Sequence, residues 1–250
     1  MTRSEKPLVG ILQCGEAPEG LESLGDYDTL FHALLGAEHF AFRTWRALDG
    51  LLPDATTQAD AWLVTGSRFG VYEDHPWIPP LEEFVRQVQK DQVPMLGICF
   101  GHQLIAQALG GRVEKFSGGW SVGRAQYRWH GDASIDLPAD ADLPLMAWHQ
   151  DQVIDPPADS RTVADSDFCQ HAALIHGDST FTIQPHPEFS PEFVEGLIRV
   201  RGKLVPNELV QAASNTIDAP LKRDAMATAM QQFLLDSIAR RQAAVDQAAS

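Results

Sequence analysis

The chain has 250 residues, enough for one large α/β domain or two small ones with a substantial buried core. An apolar fraction of 44% and a charged fraction of 21%, with 19 Gly and 16 Pro, exclude disordered and fibrous classes. The balance of 19 basic against 34 acidic side chains leaves a charge of −15, which repels phosphate backbones and anionic surfaces, so neither nucleic acid nor membrane is expected as a partner.

Met1 to Lys6 lead into the first apolar run with no h-region and no cleavage site, and no segment reaches the roughly eighteen apolar residues of a membrane span. Three cysteines (Cys14, Cys99, Cys169), odd in number and without CxxC spacing, fit a reducing cytoplasm. Leu8 to Leu12 reads as a first strand, Tyr27 to Leu35 as a helix, Phe40 to Leu48 as a second strand and Ala61 to Val64 as a third. Pro80 to Val85 opens an amphipathic helix, and Val93 to Ile98 is a fourth strand. Such alternation predicts an α/β fold, a doubly wound and largely parallel sheet with helices on both faces and right-handed crossovers. Strand-like pieces from Val113 through Trp129 and from Thr162 to Ile183 predict an antiparallel portion of the same domain, followed by a helix near Pro191 to Val200. Met226, Met230, Phe233, Leu234 and Ile238 mark one face of a C-terminal helix that packs on the core or on a partner. We therefore expect one domain over 1–250, with a core of about 8–200 and a mainly helical extension over 201–250.

Met95 to Gly111 reads as a strand, a sharp turn and a helix ended by Gly110-Gly111, with Leu104, Ile105, Ala108 and Leu109 as its buried stripe. Within it, Gly97-Ile98-Cys99-Phe100-Gly101 has the form of a nucleophile elbow with sulfur in place of oxygen, the glycines serving a strained turn. A thiol there meets the free N–H groups and positive dipole end of a helix, which favour the thiolate. The plainer reading, a packed strand-end cysteine, gives no reason for glycine on both sides. Gln184-Pro185-His186-Pro187-Glu188 follows another apolar run, and the two-residue spacing lets His186 and Glu188 face one side of an extended segment. The carboxylate then fixes the imidazole tautomer while the other ring nitrogen faces sulfur.

On these motifs the sequence resembles the class I (triad-type) glutamine amidotransferases, in particular standalone members similar to the amidotransferase half of GMP synthase. The resemblance spans roughly Leu8 to Val200 and implies a flavodoxin-like fold with glutaminase chemistry. By it, Cys99 is the nucleophile, His186 the general base and acid, and Glu188 the orienting carboxylate. Pro185 stands where the family more often has an aromatic residue. Gly66, ending the strand Leu63-Val64-Thr65, and Phe100, following the thiol, are the natural backbone donors for an oxyanion. Gln103 and the segment Gly118 to Gly123, with Trp120 and Ser121, resemble the family's substrate-binding elements. His149, within Met146 to Val153, and the stretch Tyr72 to Trp77 resemble pieces of the site's rim, though each also reads as ordinary loop. Cys14 and Cys169 lack an elbow and read as packed thiols.

The histidines form no ligand set, and neither metal nor cofactor is expected. The expected substrate is glutamine, its amide hydrolysed through a Cys99 thioester with ammonia passed to an acceptor. No Walker A segment is present, so a synthetase would have to be a separate subunit. The alternatives are a γ-glutamyl hydrolase that needs no partner, and a binding subunit without turnover.

Overall fold

The computed structural model describes residues 6–248, so the leader reading of Met1 to Glu5 falls outside the described residues. Five strands run parallel in the order β2 (Ala41–Trp45), β1 (Leu8–Leu12), β3 (Ala61–Val64), β4 (Met95–Ile98) and β11 (Thr180–Ile183). The same sheet continues antiparallel through β10 (Ala173–His176), β9 (Ser160–Asp165), β6 (Ser121–Trp129) and β7 (Asp142–His149). A small second sheet pairs β5 (Arg112–Lys115) with β8 (Asp151–Asp155).

The parallel strands are apolar throughout because both faces are covered. Val9, Ile11, Leu63, Leu96 and Ile98 join one core layer, and the alternate residues Leu12, Trp62, Val64 and Met95 join the other. On the first layer lie α1 (Tyr27–Leu35) and α6 (Arg223–Ala248); on the second lie α2 (Ile78–Lys90) and α3 (Phe100–Ala108). α1 starts where the Asp26 side chain accepts the Tyr27 N–H and ends at Gly36, whose φ of 80° terminates the turn. α4 (Pro191–Arg201) begins at Ser190, whose hydroxyl accepts the Phe193 N–H, with Pro191 at the first helical position. α5 (Asn207–Asn215) then packs on β6.

The α/β architecture with its antiparallel portion agrees with the sequence reading, and four details differ, the first being that β11, read from sequence as part of the antiparallel portion, pairs parallel with β4. The second strand stops at Trp45, because Ala47–Asp49 forms a tight 3-10 turn closed by Gly50 at φ 77°. The strands β7 and β8 fall outside the strand-like pieces read from the sequence: β7 is a mostly apolar run that contains Pro144, and β8 has only Val153 and Ile154 as apolar residues. α3 is buried along nearly its whole length rather than on a stripe, since α2, β4, β5 and β8 all pack around it. The C-terminal helix packs on the core: Met226, Met230, Phe233 and Leu234 are buried against α1 and the sheet, each contributing about 1.5–3 kcal/mol of burial.

The glycines of the elbow serve close packing as well as the turn. A β-carbon on Gly101 would overlap the Val64 carbonyl, and one on Gly97 would lie 2.8 Å from the Gly101 carbonyl oxygen. Beneath the sheet ends, the Thr182 hydroxyl bridges His102 Nδ1 at 2.8 Å and His176 Nε2 at 3.2 Å. Burial holds both imidazoles low, His102 well below its ordinary value and His176 at about 4.

Gly101→Ala should destabilise the fold by about 3 kcal/mol, since the obstructing atoms are backbone; an unchanged urea midpoint would contradict the close approach. The histidines set a pH dependence whose sign follows from their lowered values. Unfolding takes up protons that the folded chain refuses, so stability is intact above the ordinary value of 6.5 and falls as pH drops toward about 4. His176→Gln should flatten the slope of unfolding free energy between pH 6 and pH 4.5 by about 1.4 kcal/mol per pH unit, measured by urea titrations across that range.

Candidate active site

The parallel strands end on one side of the sheet, and sheet order reverses between β1 and β3, where an open α/β sheet forms a crevice. Cys99 sits at the same end of the sheet, between β4 and α3, with φ 53° and ψ −103°, a conformation rare for a residue with a β-carbon. Bonds on both sides hold it: its N–H donates to Ile183 O at 2.9 Å, and its carbonyl accepts from Gln103 N at 3.0 Å.

His186 follows β11, the strand hydrogen-bonded beside β4, and its N–H donates to Met146 O at 2.8 Å. Its Nδ1 lies 2.7 Å from Glu188 Oε1, and both side chains are almost fully buried, at 4% and 3% exposure. Burial pulls the imidazole down, but the Glu188 carboxylate and the Cys99 sulfur outweigh it and hold the ring above its ordinary value. Phe189 stacks on the imidazole with centroids 4.0 Å apart and planes 3° from parallel. Glu188 Oε2 has no hydrogen-bond partner among the described residues. Arg223, the first residue of α6, donates to the carbonyls of Pro187 at 2.9 Å and Glu188 at 3.2 Å, so the C-terminal extension fastens this loop from behind.

Gly66 lies across from both groups. A β-carbon there would stand 3.3 Å from His186 Cε1 and 4.0 Å from Cys99 Cβ. The preceding Thr65 hydroxyl accepts Cys14 N–H at 2.9 Å and donates to Gly66 O at 3.0 Å, fixing the loop. Neither Gly66 nor Phe100 donates its N–H to a backbone carbonyl outside the regular elements. Phe100, opening α3, is one of the helix positions whose N–H has no intrahelical partner.

These groups adjoin a cavity of about 390 Å³ whose lining includes Cys99, His186, Gln103 and Trp120. Gln103 Nε2 donates to Asp151 O and to Gln184 Oε1, both at 2.9 Å, so one wall is already hydrogen-bonded internally. Trp120, just before β6, lines the cavity, whereas Ser121, the first residue of β6, is not among the lining residues. Tyr72 and Glu73 stand at the rim. His149 is buried in the wall, its Nδ1 donating to Asp151 O at 3.2 Å, and burial pushes its imidazole down to about 3. Burial also pushes the Cys169 thiol up to about 12, and that of Cys14 higher still. The sequence reading missed Tyr27, Trp148, Phe189 and Arg201 in this cavity. Phe189, adjoining Glu188, and Trp148, within the Met146 to Val153 stretch, lie in segments the sequence singles out, whereas Tyr27 and Arg201 do not. No group of three or more metal-ligating side chains occurs among the described residues, and no helix there is long and apolar enough to cross a membrane.

The family model for glutamine amidotransferase class-I matches residues 55–195, which include Gly66, Cys99, His186 and Glu188. The chain is 28% identical over 207 residues to gamma-glutamyl peptidase 3 of Arabidopsis thaliana, covering 79% of this chain and 83% of that one. It is 30% identical over 169 residues to one component of the glutamine-hydrolysing GMP synthase of Halobacterium salinarum, covering 60% of this chain and 82% of that one. The crystal structure of a glutamine amidotransferase from Methylobacillus flagellatus shares the fold with a TM-score of 0.75 over 95% of this chain and 96% of that one, at 21% identity. The elbow, the fold and the matched segment together place this chain in the class I glutamine amidotransferase family.

Proposed function

We propose that the protein hydrolyses γ-glutamyl side-chain amides, glutamine being the smallest, through a thioester on Cys99. The observation that carries this reading is the buried His186–Glu188 pair, 2.7 Å apart, set against a cysteine held at φ 53°.

In the proposed reaction the Cys99 sulfur bonds to the γ-carbonyl carbon, and the negative charge that develops on oxygen meets the N–H groups of Gly66 and Phe100. Each such donor lowers the barrier by about 2.7–4 kcal/mol when aligned with the oxyanion. The carbon–nitrogen bond breaks as protonated His186 gives its proton to the leaving nitrogen, releasing ammonia or an amine. Water, deprotonated by His186, then opens the thioester to glutamate and restores the thiol. Glu188 keeps the ring oriented and offsets its charge during both transfers. Gln103 and Trp120 border the bound γ-glutamyl group, and none of these steps uses a metal or nucleotide.

A second reading sends the ammonia to a separate synthetase or acceptor protein. It is favoured by the similarity to a component of GMP synthase and by Leu204 and Tyr72, which stand 66% and 48% exposed at the cavity rim. Both readings share the Cys99 chemistry and differ in whether the purified chain turns over alone.

Glutamate release by the purified chain should occur with glutamine or with N-substituted γ-glutamyl amides, and Cys99→Ser should lower it at least about a thousandfold while keeping the melting temperature. Undiminished release in that variant would remove the thiol from the mechanism. Glu188→Gln should retain a measurable rate, lowered about a hundred- to ten-thousandfold, because the carboxylate orients the ring and does not react; wild-type kinetics would place Glu188 outside the triad.

A further inference from the structure

A cavity of about 390 Å³ belongs to the size class that holds drug-sized ligands, whereas glutamine has only about ten non-hydrogen atoms. The surplus space has a direction. The leaving nitrogen must take its proton from His186, so whatever that nitrogen carries lies on the His186 side of the sulfur. That side is built by one continuous apolar group: Phe189 stacks on His186, Tyr27 meets Phe189 with ring centroids 6.2 Å apart, and Trp148 and Leu197 pack in the same cluster.

At the C-terminal end of α4 this wall carries Arg201, half-buried and lining the cavity, near enough to the Tyr27 hydroxyl to act on it electrostatically. Of the three cations that line the cavity, Lys115 acts electrostatically on Asp151 and Glu73, and Arg68 lies over the Phe69 ring at 4.8 Å, whereas Arg201 adjoins the apolar cluster on the His186 side and has no carboxylate within 4 Å among the described residues. The acids of the cavity are engaged elsewhere, Asp151 with the Tyr72 hydroxyl at 3.0 Å and Glu73 with His75 at 2.8 Å. In a chain of charge −15, a sheltered guanidinium without an anion is a vacancy for one supplied by substrate.

We propose that Arg201, with Trp148 and Leu204, forms a leaving-amine subsite, and that it takes the carboxylate of an amino acid or peptide joined through its amino nitrogen to the γ-glutamyl group. This rests on the γ-glutamyl hydrolase reading and adds what the amide nitrogen carries. Trp148 and Leu204 cover the apolar part of that amino acid, and the planar guanidinium grips its carboxylate.

The test compares γ-glutamylphenylalanine with γ-glutamylphenethylamide, which differ only in the carboxylate. The wild-type chain should favour the first in kcat/KM by about 10- to 100-fold, the range for one charge-assisted bond. Arg201→Gln should bring the ratio close to one, and Arg201→Lys should recover part of it. A wild-type ratio near one, or a preference that survives Arg201→Gln, would overturn the subsite. Binding of the same pair to the Cys99→Ala variant, followed by calorimetry, separates this from the parent reading, since it needs no turnover and is blind to leaving-group basicity. Carboxylate-selective binding without hydrolysis by the wild type would uphold the subsite and overturn the hydrolase. Hydrolysis with unselective binding would do the reverse.

Discussion

The backbone of Cys99 is the constraint on which the rest of the site depends. A non-glycine residue at φ 53° costs on the order of 1–3 kcal/mol, and here it is held between a bond to the strand beside it and a bond into the helix after it. The turn is this sharp only because Gly97 and Gly101 let α3 lie against β3 and β4 without a side chain between them. Strand end, sulfur and helix start are thereby fused into one rigid corner. Sulfur reaches the cavity while the surrounding backbone stays in the core.

The sheet arranges its remaining contributions around that corner. β11 lies beside β4 although the two are more than eighty residues apart, and the loop after it delivers His186 and Glu188. The antiparallel half makes this possible: β9 and β10 return the chain to the parallel edge, and Met146 on β7 accepts the His186 N–H. α6 lies behind the loop, filling the core with its apolar face while Arg223 at its start binds the Pro187 and Glu188 carbonyls. The extension thus stabilises the fold and anchors the His186–Glu188 loop through one helix.

Electrostatics divide the histidines into two groups. His102, His149 and His176 are buried without a carboxylate partner, so desolvation keeps them neutral and suits them to hydrogen-bonded structure. His186 is buried as deeply, yet Glu188 and Cys99 reverse the sign of its shift. The same comparison applies to the thiols: Cys14 and Cys169 are sealed in apolar surroundings, while Cys99 alone borders the cavity. Charged neighbours and access to the cavity, more than residue type or depth of burial, distinguish the groups fitted for chemistry from those fitted for packing.

Local pattern alone determined the strand–turn–helix around Cys99, four of the five parallel strands and the pairing of His186 with Glu188, because each is written in contiguous residues and needs only short-range geometry; that β11 runs parallel to β4 depended on the tertiary structure. The family resemblance rested on those same short motifs. What only the tertiary structure decided was everything that depends on distant segments meeting. β7 and β8 find their places in the sheets only through partners distant in sequence, β6 for one and β5 for the other. Ser121 and Trp120 are adjacent in sequence, yet only Trp120 lines the cavity. Tyr27 and Arg201 lie in helices outside every motif and reach the cavity because α1 begins and α4 ends beside it. Periodicity records which face of an element is apolar; it does not record which other element that face will meet.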